Sequence, residues 1–208
     1  MQMIDLTTTA ATAGANVDSV QKYDVEVAIF RDRARLGFGV VRIIDGVLHA
    51  VFGEINKRPL DHPSVTKILR SYIENGILYH AHPMPAIIPP SFVDSAELTS
   101  TAIDALTKPP IKFTPTALAC GKIRLLGGAH RYEALLLRIE QIKKRVAYAQ
   151  SKLEAASRSG NKDNIARWQA QCQLEERDLN NASLWVLEFF DEGKYSRLFF
   201  CITKLKFC

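Results

Sequence analysis

Two apolar seams in the second half of the chain constrain its fold more than any other feature. In the first seam, apolar residues alternate at spacings of four and three without a slip: Leu135, Ile139, Ile142, Val146, Ala149, Leu153 and Ala156. After the segment SRSGNKDN the same spacing resumes: Ile165, Trp168, Cys172 and Leu179. A charge at Glu175 interrupts the second seam. Narrow seams of this period are typical of coiled coils, and they predict an antiparallel helical hairpin over residues 135–180, called the arm below.

Strand-like segments precede and follow the arm. Alternating or β-branched runs predict strands at residues 24–30, 38–44 and 47–52. Asp45-Gly46 separates the last two runs and is a strong signal for a β-hairpin. The segment PAIIPP at residues 85–90 is a short apolar piece whose prolines confine it to a sheet edge or a strand end. Further strands are predicted in GKIRLLGG before the arm and in LWVLEFF after it.

A shorter helix is predicted over residues 63–75, ahead of PAIIPP. Pro63 suits a first helical turn, with Asp61 or His62 before it, and Asn75-Gly76 ends the helix. Residues 99–118, which are rich in Pro and Thr, predict a loop with at most a short helix.

The pattern as a whole predicts an α+β fold that carries an inserted helical hairpin. The corresponding units are a polar tail at residues 1–22, a domain formed by 23–134 and 181–208, and the arm at 135–180. No internal repeat is visible in the sequence.

Composition excludes several classes of protein. No apolar run reaches the length needed to cross a membrane, and the N-terminus lacks the basic start and apolar core of a secretory signal. The four cysteines are too widely separated for metal-ligand spacing. These observations predict an intracellular protein of the cytoplasm or nucleus, with free thiols and no membrane partner. The net charge of +5 permits polyanionic partners without identifying one.

The segment IRLLGGAHRYEALL joins a predicted strand to the first arm helix through a glycine-rich turn. Gly127 and Gly128 allow a close backbone approach or a positive φ. Amide groups around Ala129 and His130 would favour an anion at the helix start, and His130 and Arg131 would add charge and hydrogen-bond donors for phosphate. A strand-to-helix turn without a ligand explains the same glycines, so the pattern alone leaves both interpretations open.

Three segments in this order resemble the ParB/sulfiredoxin superfamily: NKRPLDHPSVTKILRSYIENGI, then PAIIPP, then IRLLGGAHRYEALL. The resemblance covers about residues 47–137 and the strand at 184–190. It implies a mixed sheet with helices that binds a nucleoside triphosphate, ATP or CTP, at the GGAHR turn. Hydrolysis of the nucleotide is the first hypothesis for its activity, and catalysis of this kind usually uses Mg²⁺ as a cofactor.

The resemblance also implies roles for individual residues. It places the nucleotide on the GGAHR turn and on a helix face that carries Lys67 and Ser71. The catalytic group that it implies consists of His130, Arg131 and Arg58.

The sequence departs from the family pattern at positions that argue against two of the family's activities. Ala129 stands where sulfiredoxins carry their nucleophilic cysteine, so sulfinic acid reduction through a covalent sulfur intermediate is not expected. The ParB branch reads Glu-Arg-Arg where this chain has Ala-His-Arg, which argues against a ParB-type DNA clamp. No residue stands out as a metal ligand; Glu54, Asp61 and Glu133 are the candidates.

Two other functions fit the same sequence. The basic cleft would accept a DNA or RNA backbone, with nuclease activity as in some members of the superfamily, and basic residues continue along the arm: Arg138, Lys143, Lys144, Arg145, Lys152 and Arg158. Alternatively, the arm would act as a non-enzymatic interaction module. Its seam would then form a homodimer, whereas the charge at Glu175 favours a self-contained hairpin.

Overall fold

A computed structural model describes residues 28–29, 31–43, 49–52 and 59–195. Its sheet has five strands, in chain order: β1 (Arg35–Arg42), β2 (His49–Val51), β3 (Met84–Ile88), β4 (Lys122–Leu125) and β5 (Leu184–Asp191). Their spatial order is β1-β5-β3-β4-β2. β1 pairs with β5 and β3 with β4 in antiparallel fashion, whereas β3–β5 and β2–β4 are parallel. The predicted α+β class with a mixed sheet is therefore confirmed.

The helices of the described residues include α1 (His62–Asn75), α2 (Ala102–Ala105), α3 (Pro115–Cys120), α4 (Ala129–Ser159) and α5 (Lys162–Ala182). Short 3-10 turns cover Pro90–Phe92 and Ser95–Glu97. The predicted helix at 63–75 is confirmed with Asp61 as its N-cap, and Gly76 ends it with a φ of 76°. Residues 99–118 contain α2 and the first part of α3, which continues to Cys120, so there is one short helix more than expected. Thr101 and Thr114 cap the two helices.

The main core lies on the face of the sheet that α1 and α4 cover. Trp185, Leu187 and Phe189 of β5 point into it, and α4 contributes Leu135 and Ile139. The alternate residues of β5 point to the opposite face, where smaller clusters bury Val186 and Phe190. Because both faces of the sheet are covered at β5, the sequence of this strand is an almost continuous apolar run and does not alternate between apolar and polar residues.

The strand predicted at residues 24–30 is wrong where the structure describes it. Residues 28–29 and 31–34 are helical, and residues 24–27 and 30 lie outside the described part. Arg31 and Arg35 form ion pairs with Glu188, a carboxylate of β5 that is only 5% exposed. Pairing satisfies a charge that would otherwise be costly inside the sheet.

The hairpin that Asp45-Gly46 predicts is also wrong, although strands lie near both predicted positions. β1 and β2 occupy opposite edges of the sheet and each pairs with a different strand, β5 and β4 respectively. The tight-turn signal is local, whereas strand pairing here is decided by partners that come much later in the chain. Residues 44–48 themselves lie outside the described residues.

Residues 85–88 of PAIIPP belong to β3, which lies in the centre of the sheet, so the predicted sheet edge is wrong. Pro89 and Pro90 follow the last residue of β3, which agrees with the alternative prediction of a strand end. The carbonyl of Pro85 accepts a hydrogen bond from Leu126 N at 2.8 Å, just beyond the end of β4. The N–H and C=O groups of one strand residue point to the same side of the strand. The N–H group that Pro85 lacks would therefore point beyond Leu125, the last residue of β4, so no hydrogen bond within the two paired strands is lost. A central strand therefore tolerates Pro85.

The predicted helical hairpin is present as α4 and α5, which Gly160 and Asn161 join. Gly160 ends α4 with a φ of 69°, and Asn161 caps α5 by accepting from Asn164 N. The first seam is buried as expected, apart from the half-buried Leu153. α4 begins at Ala129, so residue 135 lies inside a continuous helix. The division into a domain and an inserted arm stays a prediction.

Candidate functional site

The start of α1 is capped by its own residues. Asp61 accepts hydrogen bonds from Ser64 N at 3.1 Å and from the Ser64 hydroxyl. The bond from that hydroxyl is the main cause that holds the pKa of Asp61 below its ordinary value, with help from the Ser64 amide and from His130 and His62, against slight desolvation. Asp61 is therefore an ionised carboxylate at the start of α1.

The start of α4 is built differently. Gly128 is its N-cap, with φ 85° and ψ 13°, and it supplies no side-chain cap. A Cβ at this position would lie 2.8 Å from Cγ of Met84, which is fully buried, so both conformation and packing require glycine. Because a helix leaves its first amides without partners, the amides at this uncapped start face outward from the turn.

A hydrogen bond joins the two helix starts. The backbone N–H of Asp61 donates to Nε2 of His130 at 2.9 Å. Nε2 is the acceptor of this bond, so the His130 side chain ties the start of α1 to the start of α4. This contact was not visible in the sequence, since 69 residues separate its partners.

The remaining predicted residues are placed as follows. Arg131 lies near Tyr72 of α1, whose pKa its charge lowers against a larger effect of burial. Lys67 and Ser71 are exposed on α1, and Ser71 Oγ accepts from Asn75 at 3.4 Å. Within residues 59–195, no hydrogen bond or ion pair joins Lys67 or Ser71 to the GGAHR turn. Arg58, like Glu54, lies outside the described residues.

An aromatic cluster between α1 and β5 escaped sequence reasoning. The ring of Trp185 lies 6.0 Å from Tyr72 and 5.8 Å from Tyr79, centroid to centroid. Tyr79 donates to the Asn181 carbonyl at 2.6 Å, whereas the Tyr72 hydroxyl and Trp185 Nε1 are buried with no partner in the part of the chain that the structure describes. Helical spacing indicated that Tyr72 faces the core, but spacing says nothing about its hydroxyl.

Phenylalanine substitutions should separate these two tyrosines. Tyr72→Phe is expected to keep or raise the free energy of unfolding at pH 7, by up to about 1 kcal/mol, because it removes an unpartnered buried hydroxyl. Tyr79→Phe should lower it by about 1 kcal/mol, because it removes a hydrogen bond. Urea denaturation of both variants measures the difference. Equal effects of the two substitutions would contradict the assignment.

The burial of Tyr72 also predicts how the stability of the protein changes at alkaline pH. Burial raises the pKa of Tyr72 to about 12 from an ordinary value of 10.0. Above pH 10 the unfolded chain loses this proton before the folded one does, so stability falls as the pH rises towards 12. Tyr72→Phe should therefore gain stability relative to wild type between about pH 10 and pH 12. A constant difference over this interval would be the opposite result.

A cavity of about 370 Å³ borders on the turn. All five strands contribute to its lining, which shows that the two edges of the sheet curl towards a common space. Met84, against which Gly128 packs, forms part of the wall together with Tyr132 from the first turns of α4. Burial is the main cause that raises the pKa of the Tyr132 phenol.

Metal-ligating groups are sparse around the site. Within the described ranges, no cluster of three or more His, Cys, Asp or Glu residues has the arrangement of a metal site. Cys120 is exposed and Cys172 is buried, both as free thiols. Among the same residues, no helix is long and apolar enough to cross a membrane.

Comparison with known proteins identifies no relative of this chain. No protein-family model, curated protein or solved structure matches the chain.

Proposed function

We propose that this protein binds a nucleoside triphosphate, ATP or CTP, at the GGAHR turn, in a fold of the ParB/sulfiredoxin type. One observation carries the proposal: the bond between Asp61 N and His130 Nε2 brings the start of α1 to the start of α4. Helix starts attract anions through their free amides and their dipoles. The start of α4 has no side-chain cap and favours an anion, and the ionised Asp61 at the start of α1 favours a cation beside it, as a nucleotide with a bound metal ion would supply.

The two ends would play different parts. Asp61 already occupies the amide of Ser64 in α1, whereas α4 has no side-chain cap. The amides of Ala129 and His130 would therefore hold phosphate oxygens directly. Arg131 would add a guanidinium, whose planar fork suits phosphate, and it forms no ion pair with any described residue.

Hydrolysis of the nucleotide would require positive charge that stabilises the phosphate groups, and a metal ion. Arg131 and Arg58 are the proposed sources of positive charge, and His130 would keep the two helix starts together. Mg²⁺, when bound, would neutralise charge on the phosphate groups. The ionised carboxylate of Asp61 is the candidate protein group for holding it, directly or through water.

Calorimetric titration with ATP, CTP, GTP and UTP in the presence of Mg²⁺ tests the proposal. We expect ATP or CTP to bind the wild type, and Arg131→Ala to weaken that binding by about ten-fold or more, the effect of losing hydrogen bonds from a charged group. Arg70→Ala is the matched control, because Arg70 is an exposed arginine of α1 outside the proposed site. A folded wild type that binds no nucleotide would overturn the proposal, and equal losses in both variants would reject the role of Arg131.

A further inference from the structure

The charge of the chain is concentrated on the outer part of the arm. Residues 138–168 contain eight basic and three acidic side chains, which gives a net charge of +5. The whole chain has the same net charge, so the rest of the sequence is neutral on balance. A polyanion is therefore the complementary partner for this segment.

A groove of about 440 Å³ lies between α4 and α5 in the same segment. Tyr148 and Trp168 line it with their ring centroids 6.0 Å apart and their planes at 82°. Tyr148 is 57% exposed, an unusual position for a large aromatic ring on a helix with a buried seam. The groove thus presents aromatic surface to solvent.

A cation lies over each of the two rings. Lys152 Nζ lies 5.2 Å from the centre of Tyr148, and Arg167 Cζ lies 5.5 Å from the centre of Trp168. Neither cation forms an ion pair within the described part of the chain, whereas Arg145 is neutralised by Glu175 and Asp178. Lys152 and Arg167 therefore keep their charge available for a ligand, in reach of the rings.

We propose that this groove, lined by Tyr148, Arg167 and Trp168 and with Lys152 over the Tyr148 ring, binds single-stranded nucleic acid. Unpaired bases stack on exposed aromatic rings, and neighbouring cations bind the phosphates between them. A duplex keeps its bases stacked inside, so the rings would add nothing to its binding. The groove lies on a different part of α4 from the GGAHR turn and does not depend on nucleotide binding there.

Fluorescence anisotropy with a labelled 20-nucleotide oligo(dT) tests this inference, because thymine tracts form no secondary structure of their own. We expect binding at about 50 mM salt that weakens steeply as salt is added. Tyr148→Leu should weaken binding about five-fold or more through loss of one stacked base, whereas Tyr148→Phe should retain it. Leucine keeps apolar packing against Trp168, and circular dichroism checks that the arm remains helical.

Variants that remove a positive charge measure the electrostatic part of binding separately from the stacking of bases on the aromatic rings. Lys152→Gln and Arg167→Gln should each reduce the slope of log affinity against log salt by about 0.7. Arg177→Gln is the matched control, since it removes an exposed arginine of α5 that does not line the groove. The inference is overturned if the wild type does not bind, if Tyr148→Leu binds normally, or if a duplex of equal length or polyglutamate binds as tightly.

Discussion

Replacing Gly128 with alanine is expected to lower the free energy of unfolding by about 2–4 kcal/mol. Two effects add at this position. A left-handed backbone, with φ at 85°, is unfavourable for any residue with a Cβ. The new Cβ would also lie 2.8 Å from Cγ and 3.0 Å from the sulfur of Met84. Met84 is fully buried, so its side chain has little space into which to move.

Gly160→Ala is the matched control for this experiment. Gly160 has a similar φ of 69°, but an added Cβ would meet no side chain within 4 Å in the part of the chain that the structure describes. Its cost should be about 1–2 kcal/mol, the conformational part alone. Urea denaturation of the two variants gives the difference, which measures the contact between the turn and the wall of the cavity. Equal costs would show that Met84 relaxes freely and that packing does not require glycine at the turn.

Replacing Arg145 with methionine is expected to cost about 2–3 kcal/mol of unfolding free energy. Glu175 is 6% exposed in the seam of the arm, and its Oε2 lies 3.1 Å from Nε of Arg145. That contact is an ion pair without hydrogen-bond alignment, while Gln171 donates to Oε1 at 2.8 Å. Loss of the cation would leave a buried carboxylate unpaired. Arg145 itself is 43% exposed, so solvent screening keeps the expected cost below that of a fully buried pair.

The double variant Arg145→Met with Glu175→Leu should recover most of the lost stability. Leucine at 175 continues the apolar spacing of Cys172 and Leu179, and an apolar pair often replaces a buried ion pair without loss. Thermal and urea denaturation of the three variants complete the cycle. A single Arg145→Met variant as stable as wild type would mean that water already compensates Glu175.

Local patterns predicted the parts of this fold that local forces decide. The period of the seams predicted the hairpin, and the Asp61-Pro63 pair and Gly76 predicted the ends of α1. The order of strand, Gly-Gly turn and helix was also correct, because β4, Gly128 and α4 follow one another within a few residues. In each case the residues that determine the structure are neighbours in sequence.

Sheet order and site contacts could not be predicted in this way. β5 inserts between β1 and β3 although the arm separates it from both in the sequence, so neither the Asp45-Gly46 signal nor the prolines around β3 revealed which strands would pair. Likewise, His130 suggested a cation for phosphate, but its acceptor role depends on the amide of Asp61. Such contacts depend on tertiary packing, which a single sequence does not display.

The length of α4 has a mechanical consequence. A continuous helix of 31 residues extends about 46 Å, several times the Debye length of about 10 Å at 0.1 M salt. Charges bound at its two ends are therefore screened from each other. A rigid rod nevertheless transmits rotation, and a tilt of about 5° at its first turn moves its last turn by about 4 Å. A conformational change at one end of α4 would therefore affect the other end through movement of the helix and not through electrostatic interaction.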